Sequence, residues 1–161
     1  MTAEQLASVL DSSNAEERTT AAQTLASMGS DASRAATTLV KYVAEEDVGQ
    51  WCTAALEECG PPRREDLNGL CSLLDCGVAD SVYWAATLLG RLGSEATDAV
   101  GPLTKTAEKY FTMPCGERAI WALGKIGPLA SAATSVLKSI ADSDQARAAR
   151  RAKQAIASIN R

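Results

Sequence analysis

The sequence predicts an all-α fold, an α-solenoid of about five antiparallel helix pairs, and three observations carry that prediction. Glycine or asparagine recurs at Gly29, Gly60, Gly93, Gly127 and Asn160, in steps of 31, 33, 34 and 33 residues. An alanine- and leucine-rich pattern precedes these positions, as in residues 16–29 (EERTTAAQTLASMG), 84–93 (WAATLLGRLG) and 118–127 (RAIWALGKIG). No window alternates polar and apolar residues for long enough to make a sheet. Self-similarity at this period marks stacked helical hairpins whose neighbours complete each other's core.

Taken in order, residues 1–161 divide as a single domain into units 2–29, 30–60, 61–93, 94–127 and 128–161. Each unit holds a first helix, a short break and a second helix closed by the recurrent residue. Glycine there suits the left-handed residue that follows a helix C-terminus, and asparagine is its usual substitute. Pro61, Pro62 and Pro128 follow a closing glycine and mark the start of the next helix, where a missing N–H costs little. Pro114 separates the two helices of unit four, and Pro102 should kink a first helix or mark its effective start. The first helix, about residues 2–10, is short. The last, about residues 145–160, turns Arg147, Arg150, Arg151, Gln154 and Ser158 away from its apolar stripe. Both ends read as water-facing caps, the expectation for a complete protein.

Hydrophobic residues make up 46% of the chain but aromatic ones only 4%, so alanine, leucine and short β-branched residues must build the core. Such small side chains let helices approach closely. The five cysteines lack any CxxC pair and read as reduced thiols of a cytoplasmic protein, Cys52 and Cys59 on core positions. With no histidine and the wrong cysteine spacings, neither a zinc site nor an imidazole base is expected, and no cofactor is implied. Cys115 is the best-placed nucleophile, beside a helix N-terminus that would lower its pKa, against the plainer reading of an ordinary loop thiol. The N-terminus has no signal character, and nothing approaches a membrane span, so no membrane contact is expected. Residues 1–80 carry a net charge of −9 and residues 81–161 one of +5, so a linear stack is acidic at one end and basic at the other.

Counted backwards from each closing residue at 100° per residue, positions −8, −5, −4 and −1 form the core stripe. Ala21, Thr24, Leu25 and Met28 occupy it in unit one, and Ala119, Ala122, Leu123 and Ile126 in unit four. Positions −10, −9, −6 and −2 lie opposite and receive Tyr83, Trp51, Trp84 and Trp121. Position −9 reads Thr20, Trp51, Trp84, Arg118, Arg151 along the units; position −2 reads Ser27, Glu58, Arg91, Lys125, Ser158. Trp51 and Trp84 fit either a groove between repeats or the open face. Trp121 lies furthest from the stripe, where helix packing alone offers it little. Trp84 beside Arg118 suggests a cation–π pair. Tyr110, Phe111 and Met113 should plug the longer break of unit four.

The second helices resemble those of HEAT-like repeats, in particular the short repeats named after phycobilisome lyases. RAIWALGKIG (Arg118–Gly127) and WAATLLGRLG (Trp84–Gly93) follow the latter part of that pattern, and AVGPL (Ala99–Leu103) is similar to the family's first helix. The resemblance implies second helices on a concave face. The family's helix-start arginine is matched by Arg18 and, with shifted register, Arg147; Gly49, Val82 and Gly116 replace it in the middle units, which implies an incomplete ladder of aspartate–arginine pairs and a looser stack. The reading that follows is a non-catalytic scaffold. Its concave face, with Trp51, Tyr83, Trp84, Arg91, Arg118, Trp121 and Lys125, would bind another protein or a peptide bearing acidic groups. The resemblance also implies a bilin lyase-like enzyme or chromophore-binding protein as an alternative. Nucleic-acid binding, known in HEAT-like glycosylases, is a further one, opposed by the −4 net charge and a pI near 4.9.

Overall fold

The computed structural model describes residues 1–161 as ten α-helices with no strand. They pair in chain order: α1 (Ala3–Val9) with α2 (Ala15–Ala26), α3 (Ala36–Tyr42) with α4 (Gly49–Glu58), and α5 (Leu67–Leu73) with α6 (Ala79–Leu92). α7 (Val100–Tyr110) pairs with α8 (Pro114–Ile126), and α9 (Thr134–Ala141) with α10 (Ala146–Ile159). The chain is an α-solenoid of the HEAT-like and armadillo type. Its interior is one continuous cluster whose largest fully buried side chains are leucines, such as Leu25, Leu56, Leu89 and Leu123, together with Ile120, and no aromatic ring is among them.

Local chemistry fixes the helix ends. Thr2 and Gln5 form a capping box at α1, Asn14 accepts from the Glu16 and Glu17 N–H groups at α2, and Pro114 opens α8 where no N–H is needed. Gly93 and Gly127 take φ +58° and +76° with ψ −133° and −143°, a region closed to residues with a Cβ. The left-handed conformation expected there is met only in φ, since ψ lies far from the αL value of about +47°. Asn160 keeps an ordinary φ of −87° and does not take the positive φ of the closing glycines. The first helices also begin later than expected. 3₁₀ segments Gly29–Ala35, Gly93–Ala99 and Gly127–Ala133, and a shorter one at Arg64–Asp66, carry the chain across before each α-helix starts. Pro61, Pro62 and Pro128 therefore precede or open these segments, while Pro102 sits in the first turn of α7, where its missing donor matters little. Residues 114–141, apolar enough by composition to span a membrane, are split by this turn at Gly127 into α8 and α9.

One contact rule governs how second helices stack. Position −3 of one unit meets position −5 of the next. A Cβ built on Gly90 would lie 3.1 Å from Ala122 Cα, and one on Gly124 would lie 3.1 Å from Ala155 Cα. α6, α8 and α10 thus stack closely in series, and α2 stacks on α4 with Ala26 and Ala55 at the same positions. Between units two and three these positions hold Glu57 and Leu88, and there α4 and α6 do not stack; α6 leans on α3 instead. The rule also explains why Thr24 is exposed rather than in the core stripe. It sits at −5 in unit one, on the side of α2 away from α4, where no other second helix packs.

The ladder of charged pairs is incomplete. Arg18 Nε lies 3.2 Å from Asp47 and Arg147 Nε 2.8 Å from Glu117, each pair joining adjacent units. Gly49 and Gly116 have no room for a side chain, since a Cβ on either would overlap the carbonyl of Val43 or Tyr110 at the end of the preceding helix. In the break beside Gly116, Tyr110 and Phe111 pack on the core as expected, whereas Met113 is exposed.

Candidate functional site

Six of the seven residues singled out from the sequence lie on α6 and α8, with Trp51 alone on α4. Tyr83 and Trp84 meet edge to face at 5.7 Å and 85°. The Arg118 guanidinium lies 4.7 Å from the Tyr83 ring centre and 5.0 Å from that of Trp121, and its Nη2 donates to the Tyr83 hydroxyl. Lys125 Nζ stands 5.8 Å from the Trp121 ring. Arg118 is therefore gripped between two rings from adjacent helices, each worth up to about 1–2 kcal/mol as a cation–π contact when partly desolvated. The expected pairing of Arg118 with Trp84 is not formed. Trp84 carries Arg91 instead, at 5.8 Å.

Two sequence expectations change in physical terms. Trp121 is half-buried, not free of the packing. Its six-membered ring rests where a Cβ on Gly90 would stand, so the missing side chain on α6 is what seats it. Arg91 is spent on structure: Nη1 donates to the Leu56 carbonyl at 2.7 Å and to that of Gly60 at 3.2 Å, and Nη2 to that of Glu57 at 3.4 Å. It caps the C-terminus of α4 across the gap where α4 and α6 fail to stack. Trp51 is half-buried on α4 and makes no aromatic or cation–π contact with the cluster.

Two clefts flank Trp121. One, of about 180 Å³, is lined by Tyr83, Pro114, Glu117, Arg118, Trp121, Arg147 and Arg151. The other, of about 200 Å³, is lined by Trp121, Gly124, Lys125, Arg151, Gln154, Ala155 and Ser158. α10 thus completes the site. Arg151 belongs to both clefts and makes no ion pair or hydrogen bond, although its place in the −9 row beside Arg118 was visible in the sequence. Glu117 was missed. Its carboxylate is only 13% exposed while its partner Arg147 is 68% exposed, so the acid sits in the cleft floor and the guanidinium closes over it.

The thiols offer no nucleophile near this site. All five are free, and burial pushes Cys52 up to about 12 and raises Cys59, Cys71 and Cys115 as well. For Cys115 this reverses the expected lowering, because desolvation outweighs the two local N–H groups that favour its thiolate. No cluster of histidine, cysteine or carboxylate side chains is arranged to hold a metal ion.

No family model and no curated protein matches the chain. Solved structures do. A designed armadillo repeat protein in complex with the peptide (KR)4 is 21% identical at a TM-score of 0.62, over 96% of this chain and 80% of that one. The CpcE–CpcF complex of phycocyanin lyase from Nostoc sp. PCC7120 is 22% identical at 0.67, over 99% and 65%. Human deoxyhypusine hydroxylase in complex with glycerol is 19% identical at 0.52, over 98% and 73%. These likenesses place the chain among repeat solenoids of the HEAT-like and armadillo type. At such identities they establish the fold alone.

Proposed function

We propose that the protein is a non-catalytic scaffold that binds another protein, through a peptide segment bearing acidic groups, along the face made by α6, α8 and α10. The observation that carries this is the half-exposed Trp121, seated on Gly90 between two clefts, with the unpaired cations Arg151 and Lys125 beside it. Tryptophan and arginine fixed in place lose little freedom on binding, which is how a few residues come to dominate an interface. Arg91 and Trp51 fall outside the proposed contact surface, since one caps α4 and the other lies across the gap.

The test is selection of a displayed random-peptide library on the wild type, with counter-selection on a Lys125→Glu/Arg151→Glu double variant whose melting curve matches the parent's. Peptides with aspartate or glutamate beside an apolar residue should be enriched on the wild type alone. Equal recovery on both proteins would remove the proposal. Adding a bilin to the wild type tests the lyase-like alternative, which a shifted visible absorption would favour.

A further inference from the structure

We propose that the cleft lined by Tyr83, Glu117, Arg118, Trp121, Arg147 and Arg151 takes a phosphate monoester, carried as a phosphorylated side chain on the bound peptide. This rests on the peptide-binding reading above and sharpens it. The argument is one of charge, donors and preorganisation. Three guanidinium groups face one carboxylate in this cleft, and the phenol of Tyr83 is the one other titratable group lining it, which leaves an excess charge of +2. A peptide carboxylate would balance half of that excess. A phosphate monoester carries about −1.5 to −2 at neutral pH and would balance nearly all of it.

The donors are in place as well. Arg118 spends Nη2 on the Tyr83 hydroxyl and keeps Nε and Nη1; Arg147 is ion-paired through Nε with Glu117 and keeps both terminal nitrogens; Arg151 keeps all of its N–H groups. The cleft has no lysine. Planar guanidinium forks match the oxygens of a phosphate two at a time, which a point-charge ammonium does not. Arg118 is already fixed between Tyr83 and Trp121, and Arg147 is tethered by the enclosed Glu117, so two of the three forks lose little freedom on binding. A volume of about 180 Å³ accommodates a phosphate group, with the indole of Trp121 left as a wall for the carbon chain that bears it. Three guanidinium groups converge on this one small cleft while the chain as a whole carries −4, which favours a single phosphorylated side chain over the long basic track that a nucleic acid requires.

The first measurement follows the Trp121 indole N–H by NMR, assigned with Trp121→Phe, while phenyl phosphate, benzoate or inorganic phosphate is added. Phenyl phosphate should bind at least about tenfold more tightly than benzoate at neutral pH, and Arg151→Gln should weaken it about tenfold. Its affinity should also rise between about pH 5 and about pH 7.5, as the phosphate's second proton leaves near 6, while that of benzoate stays flat. Inorganic phosphate matching phenyl phosphate would show a free-anion site without a peptide-borne ligand and overturn the assignment. So would benzoate equalling phenyl phosphate, or Arg151→Gln behaving as wild type.

The second measurement takes an acidic peptide from the selection above and replaces its glutamate by phosphoserine. Tighter binding of the phosphorylated form supports the inference. Equal or weaker binding defeats it and leaves the scaffold reading standing. Recovery of no specific peptide, together with no indole shift, defeats both.

Discussion

Gly90→Ala is the substitution on which the geometry makes its sharpest demand. In an open helix, glycine to alanine stabilises by up to about 1 kcal/mol. At Gly90 the added methyl would enter the ring of Trp121 and lie 3.1 Å from the Ala122 backbone, and overfilling a closed contact costs about 1–3 kcal/mol. Gly101 on α7 provides the reference, since a Cβ there meets nothing within 4 Å. Gly124 is intermediate: a Cβ there also meets backbone at 3.1 Å, from Ala155 Cα, but overlaps no ring. Urea unfolding followed by circular dichroism should therefore rank the alanine variants Gly101 above Gly124 above Gly90, the outer two separated by about 1–3 kcal/mol. Gly90→Ala should also displace the indole N–H resonance of Trp121, and its cost should fall in a Trp121→Ala background, as contacting residues couple. The seating of Trp121 would be refuted if Gly90→Ala stabilised as much as Gly101→Ala with the indole unmoved.

Arg91→Met removes the donors of three carbonyls at the end of α4 and should cost about 1–3 kcal/mol, read as a lower urea midpoint; an unchanged midpoint would mean that water replaces the cap without loss. Cys52, its pKa pushed up to about 12 by burial, should resist alkylation in the folded protein while exposed Cys76 reacts first, an order that mass spectrometry of timed samples reads directly. Asp11 accepts from the Tyr42 hydroxyl and from Lys41, which hold its carboxyl below the usual aspartate range. A lowered folded pKa gives stability that is present above the unfolded value and lost as pH falls through the folded one. Melting temperatures of Asp11→Asn should consequently fall less than those of wild type on acidification below about pH 4.

The architecture was legible because the helical period and the closing glycines recur along the whole chain, and periodicity is set locally. Facing was legible only in part. A wheel drawn for one helix places Trp121 far from the stripe, but what seats an indole is its neighbour, and the vacancy at Gly90 lies in another unit. Arg91 illustrates the same limit. Its row along the units suggested a binding surface, yet it caps carbonyls that are open to it only because α4 and α6 stand apart. The repeat pattern marks Arg147 as a ladder arginine, but nothing in the sequence says that Glu117 of the preceding unit is the acid it meets. The clash that forbids a side chain at Gly116 was likewise invisible, although it explains why the arginine of the HEAT-like pattern is missing there.

The gap between α4 and α6 ties these particulars together. Small residues at positions −3 and −5 let second helices close upon one another, and Glu57 with Leu88 breaks that rule at one junction. The same junction nearly coincides with the change of charge, −9 over residues 1–80 and +5 over residues 81–161. Everything proposed for binding lies on the basic side of it, where Gly90 and Gly124 draw α6, α8 and α10 into close series. Close stacking brings arginines of successive units within reach of one anion, which the looser junction would not. Arg91 then serves the division from the other direction, holding the two stacks together at a point where packing does not.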